Sequence, residues 1–286
     1  MKKKLAVVLA LSMISGICGC SKASTEQVTT EAVTTQEQTE EVTQSTQEEN
    51  TEEQTTTQEE AVSEVSVTYE TTKDEKKLDN GSVYMYISYM KPTVTISDNE
   101  EAQKQIQSEL DAIESDFYTN AQEMESEAKL YYSQSENSED ETSYSSDTQY
   151  SDMRVDQKVI SLMKTSYSYL GGAHGYSYIS GLNYDVKTGK TLTLDDITTD
   201  KEAFLAQVKE AIIDKCDNGE YKEAVFPDYK DYIDNILTDD LWYFDENGIT
   251  FIANAYEIGP YAAGTMDFTI PYDEITGFVD DYKLEN

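Results

Sequence analysis

The sequence predicts an α+β fold: a mostly antiparallel sheet with a long helix and a second helical block, in two coupled subdomains over residues 65–170 and 171–286. Three observations predict it. One segment carries a sustained helical period, several segments alternate with a period of two around turn residues, and the strand-like segments neighbour one another while the helical ones come in blocks.

Residues 82–96 alternate and are rich in Val, Ile, Thr and Tyr, after a turn at Asn80-Gly81. Pro92 places part of this strand at an edge or bend. Ile106, Leu110, Ile113, Phe117, Ala121, Met124, Ala128 and Tyr131 then recur at spacings of three and four. That spacing predicts a helix of about 30 residues starting near Asp98, with one apolar seam. Residues 133–152 are Ser, Glu, Asp and Tyr without period and read as an acidic loop or disordered insert.

Strand character returns over residues 155–169, and 171–175 (Gly-Gly-Ala-His-Gly) reads as a tight turn. Residues 176–186 form the next strand, Lys187-Thr188-Gly189-Lys190 its hairpin turn, and 191–194 the return. Thr199 to Glu202 fits a capping box before a helix that buries Phe204, Leu205, Val208, Ile212 and Cys216. A Tyr-rich helical stretch is expected over 221–237. Residues 242–244 and 249–253 flank a hairpin turn at 245–248, and 265–271 is the last strand.

The N-terminus carries address information. Lys2, Lys3 and Lys4 precede an apolar run over 5–14 and the stretch Ile17-Cys18-Gly19-Cys20. These ten residues rise about 15 Å as a helix, half a bilayer core, so residues 1–20 read as a signal peptide. The ending resembles the lipobox of bacterial lipoproteins. That resemblance implies a diacylglyceryl lipid on Cys20 and a chain held on the outer face of a cell membrane, where two acyl chains suffice for lasting attachment. Residues 21–64 hold 12 Glu, 12 Thr and 7 Gln with no Gly, Pro or aromatic, which predicts a disordered, extended linker.

Residues 65–286 carry 17 Lys and Arg against 45 Asp and Glu, net −28. Such a charge argues against nucleic acid and anionic lipid surfaces and favours basic partners. Catalytic constellations are missing from the sequence pattern. His174 is the single histidine, and Cys216 is the one cysteine beyond Cys20. They cannot supply a His-based metal site, and no Gly-x-Ser-x-Gly elbow or phosphate-binding Gly loop occurs. Asp195-Asp196 with Asp200, and Asp245 with Glu246 and Asn247, have the composition of Ca²⁺ ligands but read as a helix cap and a hairpin turn. No catalytic residue, metal or cofactor is therefore assigned.

Three segments carry a family likeness: 171–175; Tyr184-Asp185 with 187–190 and 192–194; and 256–264, Tyr-Glu-Ile-Gly-Pro-Tyr-Ala-Ala-Gly. In this order they resemble the extracytoplasmic, lysozyme-binding domain of the anti-sigma factor RsiV, shared with the N-terminal, non-catalytic part of certain peptidoglycan deacetylases. The likeness runs over about residues 65–283. It implies a non-enzymatic binding module in two coupled parts, with lysozyme or another basic wall-active protein as partner. A sigma-binding segment before the signal and a deacetylase domain after Asn286 are not expected, so neither activity carries over. The alternative is an accessory lipoprotein that binds peptidoglycan or scaffolds an envelope enzyme, with Tyr167, Tyr169, Tyr176 and Tyr178 stacking on sugars. The motif residues Gly171, Gly172, His174, Gly175, Tyr256, Gly259, Tyr261 and Gly264 are the candidate binding loops. Equally, the glycines would serve backbone geometry and the tyrosines would pack.

Overall fold

The computed structural model describes residues 64–134 and 143–284; Cys20, the signal, residues 21–63, residues 135–142 of the acidic stretch and residues 285–286 lie outside them. The described residues belong to one compact unit, Glu59–Asn286. Eight strands form two sheets. The first has the order β1-β2-β3-β4-β5, with β1 Val65–Lys77, β2 Val83–Ile96, β3 Tyr144–Val155, β4 Val159–Tyr169 and β5 Tyr176–Asp185. The second is β6 Trp242–Phe244, β7 Gly248–Ala253 and β8 Met266–Pro271. All neighbours are antiparallel except β2 and β3. That parallel pair is possible because helix α1, Glu100–Gln134, makes the crossover between them.

The α+β class stands, and the long helix forms where its period places it. Ile106, Leu110, Ala121 and Ala128 are buried along its seam. Tyr131 departs from the expectation: it is 57% exposed, its ring meeting Tyr132 edge-on and lying tilted beside Tyr144 rather than entering the core. Asn99 accepts from the Ala102 amide at the start of this helix, 3.1 Å.

Four local readings are corrected. Residues 133–152 are not an unstructured insert throughout, since β3 occupies 144–155. Apart from these, residues 65–77, left without an element above, form β1, an edge strand whose charged Lys and Glu side chains guard its open side. Helix α2, Lys201–Asp217, is capped by Asp200, which accepts from the Ala203 amide, while Thr199 bonds to Gly277 instead. The 221–237 stretch is a series of turns and two 3₁₀ segments, Tyr229–Asp231 and Ile233–Ile236, because Pro227 removes a donor in its middle. The return expected over 191–194 shrinks to one bridge, Tyr184 to Thr191, since Thr193 turns to bond Asp196.

Helix α1 covers one face of the first sheet through Ile106 and Leu110 with Ile160, Leu162 and Tyr184. On the opposite face lie the second sheet and α2, in a core holding Val159, Phe204, Val208, Trp242 and Phe251. The first sheet includes β5, so it runs past residue 170, and the chain passes to the second sheet after Asp185. The junction is close. A Cβ on Gly181 would stand 1.7 Å from the Trp242 carbonyl oxygen. Asn183 donates to that oxygen at 2.9 Å, and Ser161 bonds both Asn183 and the Phe244 amide.

Arg154, the single arginine of the sequence, ties the C-terminal segment down. It is buried, pairs with Asp156 at 2.6 Å and donates to the Tyr272 hydroxyl and the Tyr282 carbonyl. Its guanidinium also lies over the rings of Phe244 and Tyr272.

Candidate functional site

The turn between β4 and β5 holds Gly171 at φ +85° and Gly172 at φ +99°, a region that disfavours any side chain. Tyr169 closes the turn by donating to the Gly172 carbonyl at 2.8 Å. His174 points to solvent, with Nδ1 2.9 Å from the Gly175 carbonyl oxygen. Gly175 is buried for a different reason: a Cβ would stand 2.2 Å from the Tyr167 hydroxyl, so its bare backbone seats that ring.

The loop after β7 is anchored by Asn254. Its buried side chain accepts from the Ile179 amide at 2.7 Å and donates to the Ile179 carbonyl at 3.0 Å. Glu257 folds back to accept from the Asn254 amide at 2.6 Å. Burial, with the Asp240 charge adding to it, pushes the Glu257 carboxyl above its usual range against that hydrogen bond. Between them Tyr256 sits at φ +76°, among the described residues the one non-glycine in the left-handed region. The amide of Tyr256 donates to Gly259 at 2.9 Å to hold the turn, and its ring is 54% exposed. Gly259 lets the loop pass 2.6 Å, at Cβ distance, from the Ala224 carbonyl oxygen, and Gly264 leaves it at φ +71°.

The two loops meet. The Tyr261 hydroxyl donates to the Gly175 carbonyl at 3.0 Å. His174 stacks on Tyr261 with centroids 3.9 Å apart, and Tyr256 follows at 5.7 Å from Tyr261. The result is an exposed aromatic row, Tyr256–Tyr261–His174. One shallow concavity beside it, of about 460 Å³, is lined by Ser177, Ile179, Ala255 and Tyr261. Another, of about 340 Å³, is lined by Phe226, Asp228, Tyr232, Tyr256 and Glu257.

The third motif is not part of this surface. Asp185 accepts from Thr188 within its own turn, and Gly189 packs against the backbone of Ala102 in α1. Its work is to dock a hairpin on a helix. The carboxylate groups singled out above serve local structure: Asp195 pairs with Lys201, Asp196 holds Thr193, Asp200 caps α2, and Asp245 accepts from Asn247, Gly248 and Thr250. Among the described residues no group of three or more His, Cys, Asp or Glu is placed to hold a metal. Cys216 is buried in the second core, which pushes its thiol up to about 11 and keeps it unreactive.

A third concavity escaped the reading of the sequence. It is a groove of about 340 Å³ between α1 and strands β3 to β5, with Lys164 in its lining. The signal was present as alternate polar residues, Ser146 and Thr148 on β3 and Ser166 and Ser168 on β4, but without the pairing register it resembles loop composition.

Comparison with known proteins bears on the fold. The profile of a family described as the deacetylase PdaC matches residues 78–177, and that of a protein family of unknown function, DUF3298, matches residues 195–273. A DUF3298-family crystal structure from Bacteroides fragilis is 17% identical and covers 77% of this chain and 95% of its own, with a TM-score of 0.54. Another from Pseudomonas aeruginosa PAO1 is 18% identical over 76% of this chain and 96% of its own, at 0.51. No curated protein matches the chain. The fold is that of DUF3298-family structures. The loop 171–175 lies in the first matched segment and 256–264 in the second, so the aromatic row forms where the two segments touch.

Proposed function

We propose that this chain is a lipid-anchored binding module of the cell envelope, without enzymatic activity, whose aromatic row takes a basic wall-active protein such as lysozyme. The observation that carries this reading is the contact between the two loops that resemble a lysozyme-binding domain. Residues 86 apart in sequence supply one exposed surface. Rigid Tyr and His rings bracketed by Asp228 and Glu257 have the make-up of a protein-binding hot spot for a cationic partner. The net −28 of residues 65–286 supports electrostatic steering of such a partner. The PdaC likeness supports a place in the envelope without carrying a deacetylase activity to this chain.

Titration with lysozyme, using cytochrome c as an equally basic control, tests the reading. Exposed charge alone weakens as the Debye length falls from about 10 Å at 0.1 M salt to about 3 Å at 1 M. Lysozyme binding is expected to persist at high salt, to exceed that of cytochrome c and to fall when Tyr261 is replaced by Ala. Loss of all binding at high salt would reduce the claim to ion exchange. The anchor has its own test. Among the described residues no helix is long and apolar enough to cross a membrane, so Cys20→Ala is expected to move the chain out of the membrane fraction and abolish fatty-acid labelling.

A further inference from the structure

The face of the first sheet that meets α1 changes chemistry along its length. At one end it is Ile160, Leu162, Leu182 and Tyr184, packed on Ile106 and Leu110. Successive cross-strand rows then read Tyr150–Lys164–Ser180, Thr148–Ser166–Tyr178 and Ser146–Ser168–Tyr176. A face that continued to close a core would stay apolar. This one becomes a floor of hydroxyls and one ammonium, under a helix wall that presents Asp116, Phe117 and Asn120.

Several of these groups are costly where they stand. Ser146, Thr148 and Ser180 are buried. The Ser180 hydroxyl has no hydrogen-bond partner among the described residues. The Lys164 side chain makes no ion pair or hydrogen bond among the described residues; burial pulls its pKa below the usual lysine range, and only the Asp240 charge opposes this. An unmet hydroxyl beside an unpaired, part-buried ammonium is a site organised for something other than folding. Tyr176, 38% exposed and in the same cross-strand row as Ser146 and Ser168, supplies a ring face at its mouth.

We propose that this groove binds a short stretch of acetamido-sugar chain bearing a carboxylate, the Lys164 ammonium taking the carboxylate while Tyr176 stacks on a pyranose face. The hydroxyls of Thr148 and Ser166, with Asn120 and Asp116, meet the sugar hydroxyls and amides. Other ligand classes fit less well. Strands β3 and β4 are paired on both sides, so the floor offers no backbone for a peptide strand. A single cation, with the Asp240 charge acting on it and Asp116 on the helix wall of a strongly acidic domain, does not suit phosphate polyanions. The groove is separate from the aromatic row: Tyr167, which seats on Gly175 beside Tyr261, alternates out of the face of β4 that carries Lys164, Ser166 and Ser168.

Calorimetric titration of the full chain tests this with three probes: a neutral N-acetylglucosamine tetramer, a disaccharide of N-acetylglucosamine and its lactyl-carboxylate derivative, and a cellulose tetramer. A desolvated charge pair is expected to make the carboxylate probe bind about tenfold tighter than the neutral one, with no binding of the cellulose tetramer. Lys164→Met is expected to erase the carboxylate preference and leave the neutral probe unchanged, while Lys164→Arg keeps the preference. Tyr176→Ala is expected to weaken both acetamido probes by about fivefold or more, a stacking loss of the size aromatic contacts give. Thermal melts confirm that each variant folds. Tyr256→Ala, which alters the aromatic row alone, leaves all three sugar titrations unchanged whether or not lysozyme binds. No binding of either acetamido probe at millimolar concentration, equal binding of the cellulose tetramer, or a carboxylate preference that survives Lys164→Met would each overturn the proposal.

Discussion

His174 and Tyr261 lie ring on ring, 20° from parallel, while the Tyr261 hydroxyl reaches past the histidine to the Gly175 carbonyl. One tyrosine thus fastens two loops from different sheets with a stack and a hydrogen bond. The two parts separate by mutation. Tyr261→Phe keeps the stack and loses the bond, so urea unfolding is expected to show a loss of about 1 kcal/mol with an unchanged slope. Tyr261→Ala removes both and is expected to abolish salt-resistant lysozyme binding. Equal stability of wild type and the Phe variant would show that the hydroxyl bond does not hold the loops.

Two glycines with different jobs make a controlled comparison. At Gly181 the obstacle is the Trp242 backbone, which cannot rotate away. Gly181→Ala is expected to cost about 3 kcal/mol or more, by forcing β5 and β6 apart. Gly172 has open space around it but φ +99°, so Gly172→Ala is expected to cost about 1–2 kcal/mol through backbone strain alone. Denaturant midpoints that rank the two in the opposite order would refute this account of the sheet junction.

Arg154 is a buried cation with a carboxylate, a hydroxyl, a carbonyl and two rings as neighbours. Arg154→Met leaves Asp156 and the Tyr272 hydroxyl without their donor, and a loss of about 3–5 kcal/mol is expected from breaking such a pair. Lysine at this position cannot reproduce the planar fork, so Arg154→Lys is expected to recover little. Thermal melts measure the loss. Limited proteolysis is expected to cut first near residues 272–284, where Arg154 holds the chain.

Glu257 gives a pH dependence with a defined sign. Its folded pKa is raised, so the native chain holds that proton more tightly than the unfolded chain does. The group therefore penalises folding at neutral pH, and the penalty is relieved as pH falls through the raised value towards the ordinary 4.5. Glu257→Gln, which keeps an acceptor for the Asn254 amide, is expected to raise Tm at pH 7 and flatten its change between pH 7 and 5. An unaltered profile would show that the carboxyl is solvated.

How far the fold can be read without coordinates depends on the residue. The β6–β7 turn is written in Asp245, whose carboxylate bonds the Asn247 and Gly248 amides two and three positions on, a local event. The α1 period is equally local, apart from its last position, Tyr131. Strand β3 was missed because Ser146 and Thr148 face inward yet are polar, so the alternation that marks a half-buried strand is absent. Those residues floor the groove, and the function proposed for it explains both their chemistry and their illegibility.

The sequence by itself determined the class of fold, the place of the long helix and of the β6–β7 turn, the acidity, and which two loops carry unusual residues. These rest on interactions between residues a few positions apart, where spacing and turn chemistry suffice. Only the tertiary structure decided that Gly175 and Tyr261 touch, that Gly181 is the point where two sheets close, and that Lys164 stands unpaired in a groove. Each of these depends on strand register and on which face of a sheet receives a helix. Register is set by the sum of many weak long-range contacts, so no single residue announces it.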